Sequence, residues 1–188
     1  SDLAHAAPRA VLHRWLYDKG FDTEEVFKML YAAQGAQQRS GEWTLWRESS
    51  RILLCPATNS LSVDFQIENA DGMIQLPLGT LQWSVFSEME IAEMNASCIA
   101  IDASVHALPW RVRTWKAGDR FRPLGMQGTQ TIGDFLTHQG IEPRLRPNVL
   151  VLEVAGQIAW VIGHRVSEDF RFKNVGKQPI RFQFWSRM

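Results

Sequence analysis

With 188 residues and 45% apolar side chains, the chain is long enough for one ordinary domain or two small ones and can fill a hydrophobic core, which excludes intrinsic disorder and collagen-like repetition. No uninterrupted apolar run approaches the roughly 20 residues that span a bilayer, and no basic, apolar, small-residue signal stands at the N-terminus, so the chain reads as soluble, unexported and cytoplasmic. The formal net charge of zero hides an asymmetry: residues 1–110 carry 7 basic against 14 acidic side chains, and residues 111–188 carry 13 against 6. A basic half of this kind suits an anionic partner, nucleic acid being the commonest.

In chain order, Ala10, Leu12, Trp15 and Leu16 recur at helical spacing after Pro8, with Gly20 as the stop. A second helix follows, capped by Asp22 or Thr23, with Glu24 and Glu25 in its first turn and Val26, Phe27, Leu30 and Tyr31 as its apolar stripe. The two form a helical hairpin, and Gln34 to Gly41 reads as a loop. From Trp43 the period becomes two: Trp43 to Arg47 and Arg51 to Cys55 predict a β-hairpin around Glu48-Ser49-Ser50. Further strands are expected over Leu61 to Ile67, Leu81 to Phe86 and Ser97 to Ile101, with turns at Asn69 to Gly72 and Pro77 to Gly79. A domain boundary is placed at His106 to Pro109, where the charge reverses.

Beyond it, Trp110 to Trp115 reads as a strand and Lys116 to Asp119 as a turn, followed by Arg120-Phe121-Arg122. Thr131 to Gln139 predicts one short helix, Leu150 to Val154 and Gln157 to Gly163 a hairpin around Ala155-Gly156, and Ile180 to Trp185 a last strand. The fold class is α+β: a helical hairpin with a strand-rich middle domain over 1–106, then a mostly β domain over 107–188. No internal repeat is visible.

The basic residues of the second half recur as Arg111-x-Arg113, Arg120-x-Arg122, Arg144-x-Arg146 and Arg171-x-Lys173, around Val112, Phe121, Leu145 and Phe172. In an extended strand both cations of a triplet project to one side while the middle residue anchors on the other. Four such triplets fit a surface that follows a chain of phosphates, because guanidinium forks bind phosphate oxygens two at a time. With Lys116, His164 and Arg165 they make up the expected RNA contacts. The bland alternative is a set of ordinary strands with solvated faces. Trp110, Trp115 and Phe121 are assigned to the core rather than to base stacking.

Catalytic machinery is not evident. The chain lacks a Walker-type phosphate loop, a Gly-x-Gly-x-x-Gly fingerprint and a Ser-Gly-Gly-x-Asp-Ser loop for the pyrophosphate of ATP. Its histidines share no metal-ligand spacing, and Cys55 and Cys98 form neither a Cys-x-x-Cys motif nor a nucleophile pair with a neighbouring histidine. Asp119 suits a turn in which its carboxylate accepts backbone N–H bonds, and Asp134, inside the short helix, suits pairing with an arginine. An acid–base pair of His164 and Asp134 is the remaining enzymatic alternative.

The run Gly118-Asp119-Arg120-Phe121-Arg122-Pro123-Leu124-Gly125-Met126-Gln127-Gly128, continued by Asp134-Phe135-Leu136, Ile141-Glu142-Pro143-Arg144 and Ile158 to Val166, closely resembles the C-terminal domain of bacterial tRNA(Ile)-lysidine synthetases. The preceding region looks like that family's middle domain by position and pattern. The resemblance implies a small Greek-key barrel for the C-terminal domain. It also implies a parent enzyme that uses ATP and Mg2+ to adenylate the wobble cytidine of tRNA(Ile) and attach lysine. The family's ATP-binding domain carries the Ser-Gly-Gly-x-Asp-Ser loop and has no counterpart in this chain, so the expected role here is tRNA recognition without catalysis, alongside the catalytic domain of the same polypeptide. Where many members carry two lysines after the glycine signature, this chain has Gln130 and Thr131, which weakens phosphate contact there. The rival reading, drawn from the acidic first half, is a protein-interaction module that docks a catalytic domain or forms a homodimer.

Overall fold

The computed structural model describes residues 8–57, 62–85, 94–102, 108–172 and 179–187. Contacts divide the chain into two units, residues 1–59 with 142–145, and residues 60–141 with 146–188.

In the first unit, helix α1 (Pro8–Leu16) turns inward only Leu12 and Leu16, which are four residues apart and therefore share one face, while Ala10 and Trp15 of the expected stripe stay exposed. A 3-10 turn follows and closes on Gly20, whose φ of 73° is the left-handed conformation that glycine adopts without a Cβ clash. Asp22 caps helix α2 (Thr23–Met29) by accepting a 2.9 Å bond from the Glu25 N–H. Val26 and Met29 are its buried residues, whereas Tyr31, expected on the stripe, lies beyond the helix and is 80% exposed. Strands β1 (Gln37–Ser40), β2 (Trp43–Arg47) and β3 (Ile52–Pro56) form an antiparallel sheet in that order. The polar stretch bounded by Gly35 and Gly41 reads in the sequence as a loop, but Gln37–Ser40 is an edge strand that gains its stability from pairing with β2. Leu12, Leu16, Phe21, Val26, Met29 and Leu45 form the core.

The second unit begins with β4 (Asp64–Ile67), β5 (Gly72–Leu76), β6 (Gly79–Val85), β7 (Cys98–Asp102) and β8 (Trp110–Thr114). It continues with β9 (Arg120–Phe121), β10 (Gln130–Thr131), α3 (Ile132–His138), β11 (Leu150–Val154), β12 (Gln157–Val161), β13 (Arg165–Val166) and β14 (Pro179–Ser186). Two antiparallel sheets dominate it: β13-β12-β11-β8-β4 and β5-β6-β14-β7, with β10-β9 as a small ribbon. Strand β5 replaces part of an expected turn, and at Gly72 an added Cβ would lie 2.6 Å from the Trp83 ring, so this is a close-packing glycine.

Side chains of the two large sheets share one core, which includes Ile67, Leu81, Trp83, Ile101, Trp110, Val112, Leu152, Trp160 and Phe182. A second cluster covers the opposite face of the five-stranded sheet, where Ile132, Phe135 and Leu136 of α3 meet Phe121, Val151, Ile158 and Val161. Because β11 and β12 are covered on both faces, their sequences are nearly continuous apolar runs rather than alternating ones. Trp160 is fully buried, and its indole N–H donates to the Ala96 carbonyl at 3.2 Å, which avoids an unpaired donor in the core.

The boundary expected at 106/107 lies outside the described residues. Strands on its two sides pair with each other, β4 with β8 and β7 with β14, so the second unit draws on both halves of the sequence. Grouped by folded unit, the charges balance: residues 1–59 with 142–145 carry 8 basic and 8 acidic side chains, and the remainder carries 12 of each. The reversal along the sequence is therefore not a reversal between folded bodies.

Candidate nucleic-acid interface

Arg111 and Arg113 lie two apart on β8 and project to the same side, as a strand requires, but that side is not open water at Arg113. Arg113 stands opposite Val151, on the face that α3 and the β9 region cover, and is only 7% exposed. Its Nε donates to Glu153 at 2.6 Å, and its two terminal nitrogens donate to Asp119 at 2.7 and 3.0 Å. These bonds, led by the one to Asp119, raise the guanidinium pKa further above its ordinary value. Burial alone would raise the Asp119 pKa, but the Arg113 bond and the Lys116 backbone N–H together hold it below the usual carboxylate range. Arg113 is thus a structural arginine and leaves the set of expected RNA contacts. Asp119 does take its expected turn role, accepting from the Lys116 N–H at 2.7 Å, and Gly118 beside it has a φ of 93°.

The other triplets diverge similarly. Arg111 is paired with Asp64 on the adjacent strand, and Arg122 with Asp169. Arg144 belongs to the first unit, where it contacts Glu142 at 2.6 Å and the buried Glu48 at 3.5 Å. Arg146 opens a 3-10 turn rather than a strand, and it donates to the Ile141 carbonyl at 2.8 Å and the Thr137 hydroxyl at 3.0 Å. Leu145, the expected anchor between them, is 44% exposed, because the segment is a turn and has no alternating faces. Arg171 is exposed, its ion contact among the described residues being the 3.9 Å one to Glu168, and Lys173 lies outside the described residues.

Only some of the expected cations of the second unit are therefore exposed without a close ion pair among the described residues. Lys116 and Arg165 are exposed, with no ion pair among the described residues, and Arg120 reaches only the carbonyl and hydroxyl of Thr129, at 3.4 and 3.5 Å. All three lie within or beside the motifs that carry the sequence resemblance. Thr131 acts as the N-cap of α3, accepting from the Asp134 N–H at 3.0 Å and donating to its carboxylate at 2.6 Å. Asp134 is accordingly engaged by Thr131 rather than by an arginine, and no contact joins it to His164. His164 is half-buried, and burial lowers its pKa, which keeps the imidazole neutral at pH 7.

A concavity in this unit has no forerunner in the sequence reading. It has a volume of about 910 Å3, and His164, Arg165 and Arg171 stand on its lining. Its lining also draws on β7 and the residues before it, on Leu124 of the glycine signature and on Gln139 after α3, so no local sequence pattern announces it. Among the described residues no group of three or more His, Cys, Asp or Glu side chains is placed to hold a metal ion, and no helix is long and apolar enough to cross a membrane.

The second unit is a two-sheet β domain with a short helix on one sheet, and exposed cations stand beside its glycine-rich turn. Residues 110–183 match the sequence model of the TilS substrate C-terminal domain. The similarity extends beyond it: the chain is 26% identical over 186 residues to the tRNA(Ile)-lysidine synthase of Bacteroides thetaiotaomicron, covering 96% of this chain and 41% of that protein. The tRNA(Ile)-lysidine synthase of Caldanaerobacter subterraneus is 37% identical over 67 residues, 35% of this chain and 14% of that protein. A crystal structure of a TilS C-terminal domain superimposes with a TM-score of 0.59 at 25% identity, covering 67% of this chain and 99% of that one. The chain spans about two-fifths of the length of the curated relatives it matches over nearly its whole extent.

Proposed function

We propose that this chain is the tRNA-recognition portion of a tRNA(Ile)-lysidine synthase, the enzyme that attaches lysine to the wobble cytidine of tRNA(Ile) at the expense of ATP and so changes the codon and amino acid that the tRNA serves. The observation that carries the reading is the coincidence of the family match over 110–183 with the exposed Lys116, Arg120, Arg165 and Arg171 of that segment. Cations of this kind bind phosphate oxygens and fix the register of a nucleic acid without reading its sequence.

ATP and Mg2+ belong, in this reading, to the catalytic domain of the parent protein. The present chain offers no phosphate-cradling loop, and no step of the ligation is assigned to its residues. Its part is to hold tRNA(Ile) in the cytoplasm for that domain. A titration of tRNA(Ile) at two salt concentrations tests this: affinity falls steeply with added salt if several phosphates are neutralised. Absent binding, or binding indifferent to salt, would overturn it.

A further inference from the structure

The cavity of the second unit has a composition that selects a ligand. Its volume, about 910 Å3, lies at the upper end of the roughly 300–1,000 Å3 of ordinary small-molecule sites. Met94, Ile99, Leu124, Val166 and Phe172 supply apolar wall, while Arg165, Arg171 and His164 supply polar groups. Among the described residues that line it there is no Asp or Glu, so these offer a cationic ligand such as an amine no counter-charge. Arg165 has no ion pair among the described residues and Arg171 only the long Glu168 contact, so both guanidinium groups have donors to spare. The His164 imidazole makes no described hydrogen bond, and in its neutral form it offers one donor and one acceptor.

A nucleotide divides chemically in the same way, with flat apolar faces, a donor–acceptor edge and an anionic phosphate. A base within a duplex has its faces stacked and its pairing edge occupied, so only an unpaired one presents all three features. The position agrees: the Leu124 N–H donates to the Val166 carbonyl at 3.0 Å, and Pro123 bridges Ser167, which brings the glycine signature alongside the strand that carries Arg165. We propose that this cavity holds one unpaired nucleotide of RNA, its base against the apolar wall and His164, its phosphate on Arg165 and Arg171. The proposal rests on the tRNA-binding reading above and names the part of the RNA that this site takes.

The test uses the full chain labelled with 13C at its methionine methyls, the Met94 signal being identified by Met94→Leu. Adenosine and cytidine 5′-monophosphates and a single-stranded tetranucleotide should shift Met94, whereas inorganic phosphate and a blunt RNA duplex at equal concentration should not. The Arg165→Ala/Arg171→Ala variant should weaken the tetranucleotide by about tenfold or more, the scale of a lost charge-assisted phosphate contact. Both side chains are exposed, so an unchanged melting temperature verifies folding. His164→Ala should weaken the mononucleotides. A Met94 signal unmoved by every nucleotide, moved equally by phosphate alone, or moved only by an acidic aromatic peptide would overturn the nucleotide site. Binding of tRNA(Ile), measured in parallel, separates the two readings. Retained tRNA binding with a silent Met94 removes only the cavity assignment, and nucleotide shifts without tRNA binding keep the cavity and remove the tRNA reading.

Discussion

Arg113 on β8 and Arg165 on β13 belong to the same five-stranded sheet, yet their surroundings give the same side chain opposite uses. Arg113 is enclosed and shared between Asp119 and Glu153, whereas Arg165 is exposed and unpaired among the described residues. Spacing along a strand tells which residues share a face. Whether that face meets water depends on what packs over it, and here α3 with the β9 region covers the sheet at Arg113. A cation that can reach a phosphate and one that fastens a fold are therefore indistinguishable in the sequence alone.

The comparison breaks most visibly at Arg113. Replacing it with alanine leaves two carboxylates facing each other without their counter-charge, and such a loss costs about 3 kcal/mol of stability. Urea denaturation should show that loss, while the slope of log affinity for tRNA against log salt stays unchanged. The reverse pattern is expected at the exposed positions. Arg120→Ala combined with Arg165→Ala should leave the denaturation midpoint where it is, weaken all tRNAs about equally by roughly tenfold, and lower the salt slope by about one for each phosphate contact removed. A change of tRNA preference would instead indicate base readout by these arginines.

Thr131→Ala removes the hydroxyl that caps α3 and should cost about 1 kcal/mol. Its effect on tRNA binding should be small, because the capping hydroxyl is already occupied by Asp134. The smallest effect is one of pH. The Asp119 carboxyl is held below its ordinary value in the folded chain, so its contribution is complete above the unfolded pKa of about 3.9 and fades as pH falls through the lower folded value. The stability difference between the parent chain and Asp119→Asn should therefore be level at neutral pH and shrink in acid below about pH 4.

Much of the β architecture was legible. Period-two patterning located β2 and β3, continuous apolar runs located β11 and β12, and Ala155-Gly156 lies at the turn between them. Strands β1 and β5 escaped for opposite reasons: β1 has no apolar residue to set a period, and β5 opens on a glycine that serves packing against Trp83 rather than a turn. The division at 106/107 followed the charge, but pairing of β4 with β8 and β7 with β14 crosses it, and sequence position carries no record of which strands will meet. Among site residues, the Asp119 turn was readable because its partner is three residues away. The partners of Arg113, Arg122 and Arg144 include residues 40, 47 and 96 positions away, and contacts at such separation leave no local signature.

The equal numbers of acidic and basic side chains in each folded unit bear on how an RNA would first be met. A body without a net monopole exerts little pull on a polyanion beyond the Debye length, about 8 Å in physiological salt, so steering from afar is weak and capture depends on collisions that land near the exposed arginines. Encounter should then proceed at the unassisted rate of about 10^5–10^6 M−1 s−1 rather than near the diffusion ceiling. Discrimination between tRNAs would be expressed in residence time.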